Sequence, residues 1–319
     1  MEIKPLQEAV VSVFDIGRIA EAMQQACGYA LHPLADAPPE QFAAWHVPAD
    51  CQRIAQALLV PPGAQGHCGA LRLVRFHGAG QRVMRSSQRS WDTGGIFDVD
   101  MFSADVDAVY QRLQRCGWTA MGDPVDYSEA HFAVRQVVAQ GPDGLTLAII
   151  QRYAPPVAGL DPAGQLSPIF NSTQMVADFD LAARFYAEVL GWGAPLAFTI
   201  EGVAEPGAEV LGLPMPQAIG ARRRLAIFSP SPLAEGGVEL IENMDMRGRR
   251  FDAHCVAPNV GHLSLRFEVA DAPAYASQIE GRGGKLYARL RRLAIDPLGD
   301  VCCFAVRSPE GAIIEFFSY

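Results

Sequence analysis

Between Pro168 and Trp192 the chain reads PIFNSTQMVADFDLAARFYAEVLGW, and its apolar positions change period midway. Ile169 to Val176 reads as one strand. Ala182, Phe185, Val189 and Leu190 then fall at helical spacing, with Arg184 and Glu188 off that stripe. Asp178 or Asp180 supplies an N-cap oxygen for the orphan N–H groups of the first turn. Gly191 can take the left-handed conformation that ends a helix. The unit is a strand followed by a helix that must pack back onto a sheet.

The same outline recurs three times. Asp15 and Gly28 are thirteen residues apart, as are Asp178 and Gly191, and an aromatic follows each glycine (Tyr29, Trp192). Asp105 to Gly117 and Asp271 to Gly283 are both spaced by twelve. Copies two and four close with GPDGLTLAII and SPEGAIIEFF, a Pro-acid-Gly turn feeding a strand. Copies one and three close with the alternating runs ALRLVRF (70 to 76) and GVELIENM (237 to 244). The chain therefore predicts an α+β protein of four βαβββ modules. A Pro- and Gly-rich stretch, 156–165, reads as a linker between a first domain over 1–155 (modules one and two) and a second over 166–319 (modules three and four). In each domain two modules would curl a mixed sheet around a cleft, with helices outside.

The D…FY…VLG stretch of copy three and the PEG…IE close of copy four resemble the vicinal oxygen chelate superfamily. That group includes glyoxalase I, extradiol ring-cleavage dioxygenases and bleomycin resistance proteins. The resemblance is clear over 166–319 and consistent over 5–152. It implies that inward residues on the first and last strands of each module bind a divalent metal. The implied positions lie seven residues before each anchor Asp and four after the Gly of each closing turn. In domain two this gives Asn171, Ser264 and Glu315; the close of copy three, VELIEN, resembles the glyoxalase ELTHN strand and points to Glu239, and His262 on the face of Ser264 is a further candidate ligand. In domain one it gives Glu8, Arg72, Asp98 and Ala148. There Arg72 puts a cation where a metal should sit and Ala148 has no donor atom, so domain one reads as a degenerate site.

Glu315 and Glu239 are thus the candidate catalytic pair and, with His262, the candidate metal ligands. Asn171, Ser264, Arg266 and Phe170 are candidate substrate contacts. Two carboxylates with neutral oxygen donors suit Mg²⁺ or Mn²⁺ better than iron or zinc. Without a metal, two glutamates facing one cleft repel, and one holds its proton to higher pH. The competing structural reading leaves them solvated, or pairs them with Arg266 or another strand-face arginine.

Charge narrows the partners. The net charge is −9 and the pI about 5.3, which argues against nucleic acid or anionic membrane. Two basic clusters, Arg222 to Arg224 and Arg289, Arg291 and Arg292, read as solvated surface. Seven scattered cysteines, none in a CxxC pair, suit reduced thiols in a cytoplasm. The first residues, MEIKPLQEAV, do not read as a signal peptide, and no run reaches membrane-spanning length. The leading expectation is a glyoxalase-like enzyme moving a proton, as lyase or isomerase, on a small organic substrate in the domain-two cleft. The rivals are a sequestering protein of the bleomycin-resistance kind and a ring-cleaving dioxygenase. A homodimer is left open.

Overall fold

A computed structural model describes residues 2–64, 66–129, 132–202, 209–231 and 236–319. The first module holds β1 (Ile3–Ser12), α1 (Ile16–Cys27), β2 (Ala30–Pro33), a short α2 (Pro39–Ala44), β3 (Arg53–Val60) and β4 (Ala70–His77). The second holds β5 (Asp98–Phe102), α3 (Val106–Arg115), β6 (Thr119–Ala120), β7 (Val125–Glu129), β8 (Phe132–Gln140) and β9 (Thr146–Ala154). In the third, β10 (Asn171–Met175) leads into α4 (Phe179–Arg184), which continues as a π-helical turn over Phe185–Leu190. There follow β11 (Gly193–Ile200), α5 (Met215–Gly220), β12 (Arg223–Ser229) and β13 (Val238–Asn243). The last module is β14 (Gly261–Val269), α6 (Ala272–Gly281), β15 (Leu286–Ile295), β16 (Gly299–Arg307) and β17 (Ile313–Ser318).

All four anchor aspartates are N-caps. Asp15 accepts from the Gly17 and Arg18 N–H groups, Asp105 from Ala108, Asp178 from Leu181 and Asp271 from Ala274. Asp180, the alternative cap in copy three, instead takes Arg224 at 2.7 Å. Gly191 ends its helix at φ 76°, and a Cβ there would fall 2.6 Å from the Arg282 guanidinium.

The modules do not pair in the order of the chain. One sheet runs β15-β16-β17-β14-β1-β4-β3-β2 and joins modules four and one. The other runs β11-β12-β13-β10-β5-β9-β8-β6, with β7 also on β8, and joins modules three and two. This corrects the division into a 1–155 and a 166–319 domain: each sheet takes one module from either side of the linker. Cross-strand charge explains the choice. Glu8 lies opposite Arg266 across the antiparallel β1–β14 seam, and Asn171 lies opposite Asp100 across β10–β5. Glu8 and Asn171 hold equivalent places, each seven residues before its anchor. Module one on module two in the same register would set Glu8 against Asp100, acid against acid.

The helices and the outer faces of both sheets share one core. Ile19 and Met23, Val106 and Leu113, Tyr186 and Trp192, and Tyr275 and Phe316 bring it residues from every module. Neither half of the chain can close this core alone. Residues 1–155 produced by themselves should therefore expose β1 and β5 as open edges and aggregate, whereas co-expression with 156–319 should restore a folded complex. Size-exclusion chromatography with circular dichroism reads the outcome, and a folded, monomeric 1–155 fragment would contradict the pairing.

Candidate functional site

Each sheet has a concave face, and the two differ in what fills them. On the β14–β1 sheet, alternation places Glu8, Arg72, Ser264, Arg266 and Glu315 inward. Arg72 grips Glu8 through Nε and Nη2, both at 2.8 Å, and reaches Gln56 at 3.0 Å and the Asp296 carbonyl at 2.7 Å. Arg266 donates to Glu8 at 2.6 Å and to Glu315 at 2.9 and 3.1 Å. Ser264 and Trp45 complete Glu315, the indole N–H at 3.0 Å. Burial alone would raise the Glu8 carboxyl, but the Arg72 and Arg266 charges outweigh it and hold it at about 2. Trp45, Phe76, Ala288, Phe317 and their neighbours pack over this network, leaving a cavity of about 10 Å³ beside Glu315. That is room for one water at most. The face is closed.

The β10–β5 sheet keeps its hollow. Its cavity measures about 670 Å³, within the range of small-molecule sites. The floor consists of two rows across the strands. Glu239, Thr173 and Asp98 are neighbours in one, and Asn171, Asp100 and Ala148 in the other. Thr173 donates to Glu239 at 2.9 Å and the Asn171 amide to Asp100 at 2.6 Å, while Asn171 Oδ1 accepts from the Gly237 N–H. Asp98 and Asp100 are 2% and 3% exposed, and one oxygen of each lacks a hydrogen-bond partner. Above the floor the walls are largely apolar. Phe102 and Phe170 stack at 4.0 Å, with the Arg152 guanidinium 4.9 Å from the Phe102 ring, and Phe132, Phe198, Leu225 and Ile227 line the far side.

Among the described residues no cation is hydrogen-bonded to these acids as Arg266 is to Glu315; the charge of the buried Arg85 lowers Asp98, but more weakly than burial raises it. Burial raises Asp98 to about 6, against hydrogen bonding from Thr173. Burial raises Glu239 to about 7, with the Asp98 charge adding and Thr173 opposing. Asp100 is pushed well above the carboxylate range by burial and then by the charges of Asp98 and Glu239. Glu239 remains partly accessible because it opens on the cavity.

The expected residues are thus divided. Asn171, Glu239 and Phe170 line the open cavity; Ser264, Arg266 and Glu315 belong to the closed face. The pairing of Glu239 with Glu315 is corrected: they stand on different sheets, β13 and β17. The reading that tied Glu315 to Arg266 is what the structure has. His262 is no ligand either. The β1–β14 register shifts between the Val10–Ser264 and Val11–His262 pairs, so alternation fails there. The ring is buried with Nε2 3.2 Å from the Thr146 N–H and carbonyl, joining the two sheets, and burial lowers its pKa to about 4.

Asp98, counted in the sequence but assigned to a degenerate domain, is on the open floor, and Asp100 was missed. Its signal was two aspartates at alternate positions in an otherwise apolar strand, FDVDM.

The metal expected from the resemblance does not fit the residues present. On the closed face the Arg266 guanidinium bridges Glu8 and Glu315, and Arg72 takes the other side of Glu8. On the open floor Glu239 and Asp100 accept from Thr173 and Asn171. Among the described residues no three His, Cys, Asp or Glu side chains converge as a metal cluster.

Solved structures share this architecture. Glyoxalase I from Zea mays matches with a TM-score of 0.62 at 14% identity, covering 98% of this chain and 92% of that one. A mutant of the same enzyme gives 0.63 at 15% identity, covering 98% and 92%. The chain has the vicinal oxygen chelate fold. A Bacillus subtilis protein provisionally described as a dioxygenase shares the fold too, at 0.59 and 10% identity over 99% of this chain and 86% of that one. No family sequence model and no curated protein matches the chain by sequence. Among the described residues no helix is long and apolar enough to cross a membrane.

Two stability measurements separate the faces of this vicinal oxygen chelate fold. Arg266→Ala should cost about 3–5 kcal/mol in chemical denaturation, because it strands the buried Glu315 without a cation and leaves Glu8 to Arg72 alone; a loss under about 1 kcal/mol would contradict the network. Glu239→Gln should act oppositely. The Glu239 carboxyl is raised in the folded state, so its ionisation destabilises progressively as pH climbs from about 4.5 to about 7. The substitution should therefore add about 3 kcal/mol at pH 8 and almost nothing at pH 4. A loss of stability at pH 8 would show that the carboxylate is held by groups other than those described.

Proposed function

We propose that the chain is an enzyme that moves a proton on a small, largely apolar organic substrate in the open cleft, with Asp98, Asp100 and Glu239 as the acid/base groups. This keeps the glyoxalase-like reading of lyase or isomerase chemistry and moves it from the Glu239–Glu315 pair to one floor. The observation that carries it is the placing of three carboxyls side by side along the floor of a ligand-sized cavity, Asp98 and Glu239 raised to about 6 and about 7 and Asp100 raised well above its ordinary range. At pH near 6.5 Asp98 is mostly ionised and Glu239 mostly protonated. The ionised oxygen takes a proton from the carbon beside a carbonyl. The protonated one donates to the carbonyl oxygen, and the enol then reprotonates or expels a neighbouring group. Asn171 and Thr173 hold the acids in place.

Sequestration without turnover is the second reading, favoured by the aromatic stack and the apolar walls. Ring cleavage has less support, since no histidine stands among the described lining residues to form a two-His-one-carboxylate face. The seven free cysteines are consistent with a reducing compartment, which we take to be the cytoplasm.

Proton NMR of a panel of aryl ketones in deuterated buffer decides between the two readings. The protein should accelerate exchange of the α-hydrogens. The rate should peak between about pH 6 and 7, falling below as Asp98 protonates and above as Glu239 ionises. Glu239→Gln should reduce it by about 10² or more. Ligands that bind with no exchange across the panel would transfer the assignment to sequestration.

A further inference from the structure

The three consecutive arginines 222–224 do not share a fate. Arg222 pairs with Asp245 at 3.0 Å on the surface, and Arg224 pairs with Asp180 at 2.7 Å over the Phe179 ring. Arg223, first residue of β12, points the other way and lines the open cavity at 6% exposure. Its Nη1 donates to Glu209 at 2.5 Å, and the second oxygen of Glu209 accepts from the Leu213 N–H at 3.0 Å. Glu209 is thereby used up. Arg223 is not: its buried Nε–H has no acceptor, and Nη1–Glu209 is its one hydrogen bond among the described residues. A guanidinium offers five donors, and leaving them unmet in a buried setting costs free energy unless something else supplies the acceptor.

Arg223 pairs across the sheet with Asn243, four residues along β13 from Glu239. At strand spacing that is about 13 Å from the acidic floor. Leu225, Ile227 and Ile241 fill the interval. Glu209 already cancels the Arg223 charge, and the floor is acidic, so a second anion would be repelled. A neutral acceptor would not.

We infer that Arg223 sets the specificity of the cleft by binding a neutral acceptor oxygen, the carbonyl of a ketone, ester or amide, at one end of an elongated apolar ligand whose other end lies over Asp98, Asp100 and Glu239. This rests on the reading of the open cleft as the ligand site.

Three naphthalene probes of one shape test it by fluorescence titration: 6-propionyl-2-dimethylaminonaphthalene, 2-dimethylaminonaphthalene, which lacks the carbonyl, and 6-dimethylaminonaphthalene-2-carboxylate. The neutral ketone should bind the unaltered protein about tenfold or more tighter than either companion. The variant Glu209→Gln/Arg223→Met, which removes both charges together, should lose that preference and shift the bound ketone's emission to the blue, while its affinity for the carbonyl-free probe stays within about twofold. Equal binding of the ketone and carbonyl-free probes, with both clearly bound, would overturn the role of Arg223 and leave the cleft intact as a site. The carboxylate binding best would overturn the choice of a neutral ligand. Failure of all three to bind would sink both the inference and the reading beneath it. The comparison on the unaltered protein stands whether or not the variant folds.

Discussion

The structure turns on one buried guanidinium. Arg266 lies between Glu8 and Glu315, within hydrogen-bond distance of both, and all three are shut off from solvent. Such an ion network is unfavourable to bury unless each charge finds its partner, so it specifies pairing more strongly than it adds stability. Glu8 comes from the first strand of the chain and Glu315 from the last. Satisfying Arg266 therefore brings the two ends of the sequence together, and the middle modules are left to pair with each other.

The two sheets are built alike, and their clefts differ because of two positions. Ser264 and Arg266 on β14 hold the places that Asp98 and Asp100 hold on β5, each counted back from its capping aspartate. On one sheet the arginine neutralises its neighbours and the concave face fills with Trp45 and Phe317. On the other, acid replaces cation, no guanidinium among the described residues is hydrogen-bonded to the carboxyls, and packing over them is unfavourable. The cavity stays open where the acids have no paired guanidinium. The instability stored at Asp98, Asp100 and Glu239 is of the kind that marks working sites, whereas the buried Glu8 and Glu315 are held by arginine and serve the fold.

Local features were legible in the sequence and long-range ones were not. The capping aspartates, the helix-ending glycines and the closing strands follow from short-range chemistry, and all four copies carry them. Counting from those anchors singled out Asn171 and Asp98, and the resemblance of VELIEN singled out Glu239; all three are on the cleft floor, although Asp98 was assigned to a degenerate site. It could not say which module meets which, because four similar units present similar strand edges; only the polar side chains at 8, 100, 171 and 266 discriminate, and the contact between 8 and 266 does so across about 250 residues. Glu315, Ser264 and Arg266 were placed in the wrong hollow for that reason alone. His262 was misplaced by a local shift of register that no period-two count detects. Arg223 hid inside a run of three arginines, although alternation along a strand must turn one of them away from its neighbours.

A crystal structure determined under xenon pressure tests the central claim most directly, since it reports strand pairing and open apolar volume in the same map. The account requires Arg266 in contact with both Glu8 and Glu315, xenon in the hollow walled by Phe102, Phe198 and Leu225, and none beside Trp45. Strand β1 paired with β5, or xenon lodged against Trp45 with the aspartate floor packed shut, would contradict it.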